Sequence, residues 1–218
     1  MGGGRGLLLP PMIRGTLSPA PSMKKTMPLF RPLVRVSSFL TMAAMLSHCT
    51  STKTKPDKVV VSVKDQKLGL YKNGRLKGQY VVSTSKFGLG SDPGSNKTPL
   101  GQLEVTSKIG EGLPAGAVLK GRSWNGEVLT PNAPGRDPVV SRVLWLNGKE
   151  AGNRNTQNRL IYIHGTPEER NLGRPASYGC VRMGMEDVIN VFDQVPVGTS
   201  VTITEDGLSR HLNATAVN

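Results

Sequence analysis

At 218 residues, with 26 Gly and 16 Pro beside only 4 Phe, 4 Tyr and 2 Trp, the chain reads as one loop-rich, β-dominated domain with a remainder at its ends. The formal charge of +13 favours anionic partners, but Arg5, Arg14, Lys24, Lys25, Arg31 and Arg35 lie in residues 1–49, which hold no acid, and without those six the rest carries +7. No RNP-like aromatic block, zinc-finger spacing or basic helix accompanies the charge, which makes nucleic acid the weaker partner beside cell wall or a membrane surface, with a merely soluble Lys-rich surface as the alternative.

Residues 1–22 have no sustained period and too many Gly and Pro for a helix or strand. From Met23, which reads as the true start, Lys24, Lys25, Arg31 and Arg35 precede an apolar run from Val36 to Leu46. This is the layout of an export signal. The run is too short for a membrane span, which needs roughly 18 apolar residues. Leu46-Ser47-His48-Cys49 resembles an imperfect lipobox, with His48 where a small residue is wanted. Residues 1–49 are therefore read as an N-terminal extension and export signal, with lipidation at Cys49 or ordinary cleavage nearby. The protein is expected in the periplasm or cell envelope, attached to the membrane if Cys49 is lipidated. Residues 50–57 form a polar linker.

The β pattern starts at Lys58. Val59, Val60, Val61 and Val63 make a first strand, and Leu68 and Leu70 lie on one face of a second. Asn73-Gly74 then separates that run from Gln79–Thr84, a strong hairpin signal because both residues tolerate φ > 0. Gly88–Thr98 reads as a flexible loop; no helix follows it and no Lys-Ser/Thr ending closes it, so it is not a phosphate loop. Gln102–Thr106 is a strand. Trp124, Val128 and Leu129 line another, with Trp124 read as core or half-buried packing rather than a sugar-stacking ring. Pro131–Pro138 is a turn-rich candidate lid, and Val139–Leu146 a strand ending at a second Asn-Gly turn, Asn147-Gly148.

Ile161, Tyr162 and Ile163 form a β-prone run ending at His164, with Gly165 opening a polar loop. Ser177, Tyr178 and Gly179 lead into Cys180, just before the period changes to 3.6. Val188, Ile189, Phe192 and Val195 give the stripe of an amphipathic helix from Met185 to Val195, closed by Pro196. Cys180 is expected just ahead of that helix, where its amides and dipole favour a thiolate. Val197–Thr204 supplies a last strand, and residues 205–218, His211 included, read as a flexible tail.

A lone Cys is more often an inert core residue, and a lone His a hydrogen-bonded one. As a pair flanking one loop they also make a nucleophile and its base: imidazole takes the thiol proton and returns it to a leaving amine. Removal or lipidation of Cys49 leaves Cys180 as the single thiol, with no internal disulfide. Two such ligands without CxxC or HxxxH spacing do not make a zinc site.

The stretch from His164 to Met183 resembles the signature of the L,D-transpeptidase catalytic domain (YkuD-like) family, HG(T) followed by [ST]HGC[VI]R[ML]. The matching residues are His164, Gly165, Thr166, Gly173, Ser177, Gly179, Cys180, Val181, Arg182 and Met183; Tyr178 stands where the family usually has His. Asp65–Tyr71, the Lys97–Gly101 turn and the last strand extend the resemblance to residues 58–204. It implies a β-sandwich or barrel with a small helical component, without cofactor or metal, acting as a monomer on peptidoglycan stem peptides. Cys180 maps onto the nucleophile and His164 onto the proton donor and acceptor. Gly165, Ser177, Tyr178, Gly179 and Arg182 are supporting or substrate-binding candidates. The implied reaction forms a thioester on a tetrapeptide stem, releases D-Ala and passes the acyl group to an amine, making a cross-link. The alternatives are a carboxypeptidase or cross-link hydrolase using water, and an inactive peptidoglycan-binding module.

Overall fold

The computed structural model describes residues 57–211. The export signal, the start at Met23, lipidation at Cys49 and linker residues 50–56 lie outside the described residues. Asp57, the last linker residue, is already part of the fold: its carboxylate accepts from Lys72 Nζ at 2.7 Å and from the Asn73 amide at 3.1 Å.

Ten strands and one helix follow: β1 Lys58–Ser62, β2 Lys67–Lys72, β3 Arg75–Ser83, β4 Gly101–Ile109, β5 Ala117–Lys120, β6 Ser123–Val128, β7 Val140–Gly148, β8 Tyr162–Gly165, β9 Val181–Met183, α1 Met185–Gln194 and β10 Ser200–Thr204. The sheet order is β4-β10-β1-β2-β3-β9-β8-β7-β5-β6, and β4 also pairs with β7. That extra pairing closes eight strands into a barrel-like ring, with the β5–β6 hairpin hanging from the start of β7. Closure removes the free edges that an open sheet would present. The expectation of a mainly β fold with a small helical component holds.

The turn chemistry is local and follows the residues. Asn73 (φ 50°) and Gly74 (φ 74°) join β2 to β3 with both central residues left-handed, as a two-residue hairpin requires. Asn147-Gly148 does not turn, contrary to the sequence reading. Both residues lie inside β7, paired with Glu104 and Leu103. Gly148 serves close approach instead, since a Cβ there would sit 1.9 Å from the Asn153 carbonyl. The Asn153 side chain in turn binds the Leu100 and Gln102 carbonyls.

Alternation along the strands builds the interior: Val59, Val61, Leu68, Leu70, Leu103, Val105, Leu144, Leu146, Ile163, Val181, Val201 and Ile203 form one cluster. Helix α1 joins it through Val188, Val191 and Phe192, each contributing about 1.5–3 kcal/mol on burial.

Two further readings are corrected. Residues 205–211 are not a flexible tail: a helical turn at 208–211 places Leu208, 3% exposed, against Val60, Tyr71 and Leu76, and the Leu208 amide donates to Asp65 at 2.7 Å. Residues 212–218 lie outside the described residues. Trp124 is not core, being 45% exposed on β6, because its hairpin leaves the barrel wall.

Candidate active site

Strands β8 and β9 run parallel in the register Ile163↔Val181, His164↔Arg182 and Gly165↔Met183. Side chains alternate with period two, so Ile163, Val181 and Met183 enter the core. Tyr162, His164 and Arg182 take the other face. Cys180 follows them, packing with Leu119, Val143 and Tyr162 rather than with the core. Thiol and imidazole thus become diagonal neighbours on one face of strands ~4.8 Å apart. A parallel pair cannot be joined by a tight turn. The connection here is the loop 166–180 with its 3-10 turn Glu169–Asn171, which is why the two signature blocks stand apart in sequence.

The sequence reading put Cys180 at the helix N-terminus; the structure does not. Strand β9 and the N-cap Gly184 intervene, so burial rather than the helix dipole dominates the thiol. Burial pushes Cys180 up to about 11, while the Tyr162 amide and the charges of Arg182 and Arg159 pull the other way. Sγ accepts from the Tyr162 amide at 3.4 Å and donates to the Leu160 carbonyl at 3.3 Å. Leu160 has φ 57°, an uncommon value for a non-glycine residue, and this turn aims its carbonyl at the sulfur.

His164 is 5% exposed. Burial lowers it to about 4; the hydrogen bond to the Gly165 carbonyl opposes that, Arg182 adds to it, and Asp137 opposes it. At neutral pH the ring is therefore uncharged. Nδ1, 2.8 Å from the Gly165 carbonyl, must be its N–H donor, because a carbonyl only accepts. Nε2 keeps the lone pair. An uncharged imidazole with a free lone pair at Nε2 is able to accept a proton.

The supporting residues have separable roles. Gly165 allows close packing: a Cβ would lie 2.6 Å from the Val140 carbonyl and 3.0 Å from Val188 Cγ1. Gly179, at φ 116°, adopts backbone that a side chain would strain, and its carbonyl accepts from Thr98 Oγ1 at 3.0 Å. Ser177 orients the loop and not the imidazole, its hydroxyl donating to the Cys180 carbonyl at 2.5 Å and accepting from the Gly179 amide at 3.3 Å. Loop 88–98, read as flexible, is tied to the site by Arg159, which donates to the carbonyls of Gly90 and Lys97. Tyr178 is 56% exposed, its ring 5.4 Å from that of Phe87 and its hydroxyl 2.9 Å from Lys86 Nζ.

Asp137 was not singled out by the sequence. It lies in the candidate lid, yet its carboxylate binds Arg182 at 2.6 Å and accepts from Thr166 Oγ1 at 2.5 Å. The lid is further stitched to the loop after His164 through the Asn132 amide to the Pro167 carbonyl and the Arg170 amide to Asn132 Oδ1. Arg182 thereby acts on His164 through its charge, partly offset by Asp137. Only an acid in a Pro- and Gly-rich loop marked the spot, which is no signal by itself.

Two clefts are lined by neighbours of the pair. One of about 610 Å³ is lined by Lys86, Asp137, Glu168, Arg174, Tyr178 and Arg182, among others. The other, about 200 Å³, is mostly apolar, with Leu119, Val139, Val143, Leu160 and Tyr162. Among the described residues no group of three or more His, Cys, Asp or Glu converges as a metal site.

The family described as YkuD, L,D-transpeptidase catalytic domain, matches residues 56–203. The putative L,D-transpeptidase YqjB of Bacillus subtilis is 29% identical over 151 residues, 69% of this chain and 73% of that protein. The probable L,D-transpeptidase YbiS of Escherichia coli is 44% identical over 48 residues, 22% of this chain and 16% of that one. Among solved structures, L,D-transpeptidase 3 of Mycobacterium tuberculosis aligns with a TM-score of 0.45 at 18% identity, over 68% of this chain and 61% of that one, so the chain spans less than two thirds of that solved chain. A family match running from the linker through the last strand, with His164 and Cys180 both inside it, leads to one conclusion: the chain belongs to the L,D-transpeptidase catalytic domain family.

Proposed function

We propose that this protein is a peptidoglycan L,D-transpeptidase that uses Cys180 as nucleophile and His164 as proton acceptor and donor. The observation that carries the reading is the parallel register of β8 and β9, which sets His164 opposite Arg182 and so one diagonal step from Cys180, with imidazole Nδ1 committed to the Gly165 carbonyl. Sγ attacks the stem carbonyl that precedes the terminal D-Ala, and its proton passes to His164 Nε2. The C–N bond breaks, imidazolium returns the proton to the leaving amine, and D-Ala departs from a thioester. An incoming amine then attacks the thioester, its proton passes through Nε2 to the departing sulfur, and an amide cross-link remains. Asp137 keeps Arg182 from carrying an uncompensated charge beside the base, so His164 does not fall still lower.

The charged and apolar layout of residues 23–46 supports export, with the reaction taking place in the periplasm or cell envelope, and Cys49 is the point of membrane attachment if lipidated. The test is intact mass after incubation with a tetrapeptide stem. A thioester adduct that disappears with Cys180→Ala, followed by dimeric muropeptide, is expected. Adduct followed only by shortened monomer assigns water as the acceptor and makes the protein a hydrolase. No adduct, with wall binding untouched by Cys180→Ala and His164→Ala, leaves a binding module.

A further inference from the structure

The larger cleft holds more cations than its own acids engage. Of its two carboxylates, Asp137 is committed to Arg182 at 2.6 Å. Glu168 accepts from Asn171 Nδ2 at 2.7 Å and lies 4.0 Å from Arg170. Lys86 and Arg174 remain. Among the described residues neither is paired with a carboxylate: Arg174 donates to Asn171 Oδ1 and Lys86 to the Tyr178 hydroxyl. Other exposed cations do have acidic partners, such as Arg136 with Glu127 and Lys97 with Asp92.

Lys86 is also positioned, not merely exposed. Its ammonium lies 4.3 Å from the Tyr178 ring centroid and 5.3 Å from that of Phe87, and the two rings are themselves 5.4 Å apart. Aromatic faces hold a cation partly dehydrated and limit the rotamers of a long flexible stem. Such a charge loses less entropy and less hydration on meeting an anion than a free lysine does. Tyr178, two residues before the nucleophile, thus fixes the ammonium at the cleft that Arg182 lines.

We propose that Lys86, held by Tyr178 and Phe87, forms with Arg174 a carboxylate-binding subsite in the cleft that Arg182 also lines, which recognises a free carboxylate of the stem peptide. The proposal rests on the peptidoglycan reading above. The carboxylate is the terminal one, on the departing residue, or an internal one further along the stem, and both present the same planar anion.

The test separates the sources and is independent of turnover. Binding of three peptides to the full chain carrying Cys180→Ala is measured by calorimetry: the free tetrapeptide stem, the stem with its terminal carboxylate amidated, and the stem with its internal carboxylates amidated. One amidated peptide is expected to bind about tenfold more weakly than the free stem, the size of one charge-assisted contact, and so names the carboxylate recognised. Adding Lys86→Met should weaken the free stem by about the same factor and leave that amidated peptide unchanged, while Lys86→Arg restores the preference. Circular dichroism confirms that each variant is folded. Equal binding of all three peptides, or a Lys86→Met loss shared equally by them, overturns the subsite. Recognition of carboxylate in a chain that shows no thioester in the mass experiment would overturn the transpeptidase reading and leave the subsite standing.

Discussion

The two faces of the β8–β9 pair are one residue apart in sequence and opposite in character. Ile163, Val181 and Met183 enter an apolar interior, whereas Tyr162, His164, Cys180 and Arg182 line the side that carries the candidate site. Because the backbone register is shared, the rigid packing of the first set holds the second in place. The geometry of the candidate site is inherited from the core through a two-residue period.

The sharpest way to separate the faces is to remove one group from each. Cys180→Ala should lower acyl transfer by about 10³-fold or more, with stability changed by less than about 1 kcal/mol, read from turnover and a urea melt. Met183→Ala on the core face should do the reverse, costing about 2–5 kcal/mol of stability while leaving acylation of the still-folded fraction at the same site. Loss of adduct formation in fully folded Met183→Ala would show that the core face contributes to the chemistry itself.

Burying the imidazole on the reactive face has a pH signature. The unfolded chain takes up a proton at the imidazole near pH 6.5; the folded chain resists until about 4. Stability from this group is full above pH 6.5 and falls as pH is lowered through that window, by about 3 kcal/mol in all. In parallel urea melts of wild type and His164→Gln, the difference in stability should shift across this window and be flat above pH 7. A flat difference down to pH 4 would mean that the ring is not desolvated.

A smaller effect is expected from the lid. Asp137→Asn removes the carboxylate that offsets Arg182, which lowers His164 further and weakens it as a base. Turnover should fall by about tenfold and the acid limb of the pH–rate profile should move to lower pH, with Asp137→Glu recovering part of the loss. A drop in turnover with the limb unmoved would assign Asp137 a structural role alone.

Much of the catalytic pair was legible because its signals are short-range. The apolar run ending at His164, the glycines that permit close approach and the amphipathic stripe of α1 are each set by neighbours within a few residues. The local rules misled where a contact from far away in the chain outweighed them. Asn147-Gly148 has hairpin chemistry, but pairing with Leu103 and Glu104 on β4 keeps it extended. Trp124 has the hydrophobicity of a core residue, but its hairpin projects from the ring. Cys180 lies five residues before the first residue of a helix, yet the short strand β9 intervenes and removes it from the dipole.

The sequence by itself thus determined the mainly β architecture, the hairpin at Asn73-Gly74 and the helix, and it singled out Cys180 and His164 as the candidate pair, all of which follow from residue period, turn chemistry and motif. Tertiary structure alone decided the rest: the closure of β4 on β7, the burial that keeps His164 uncharged, the Asp137–Arg182 pair and the seat of Lys86 against two rings. These depend on which distant segments meet, and the free energy of a charge depends on what surrounds it, so no local pattern records them.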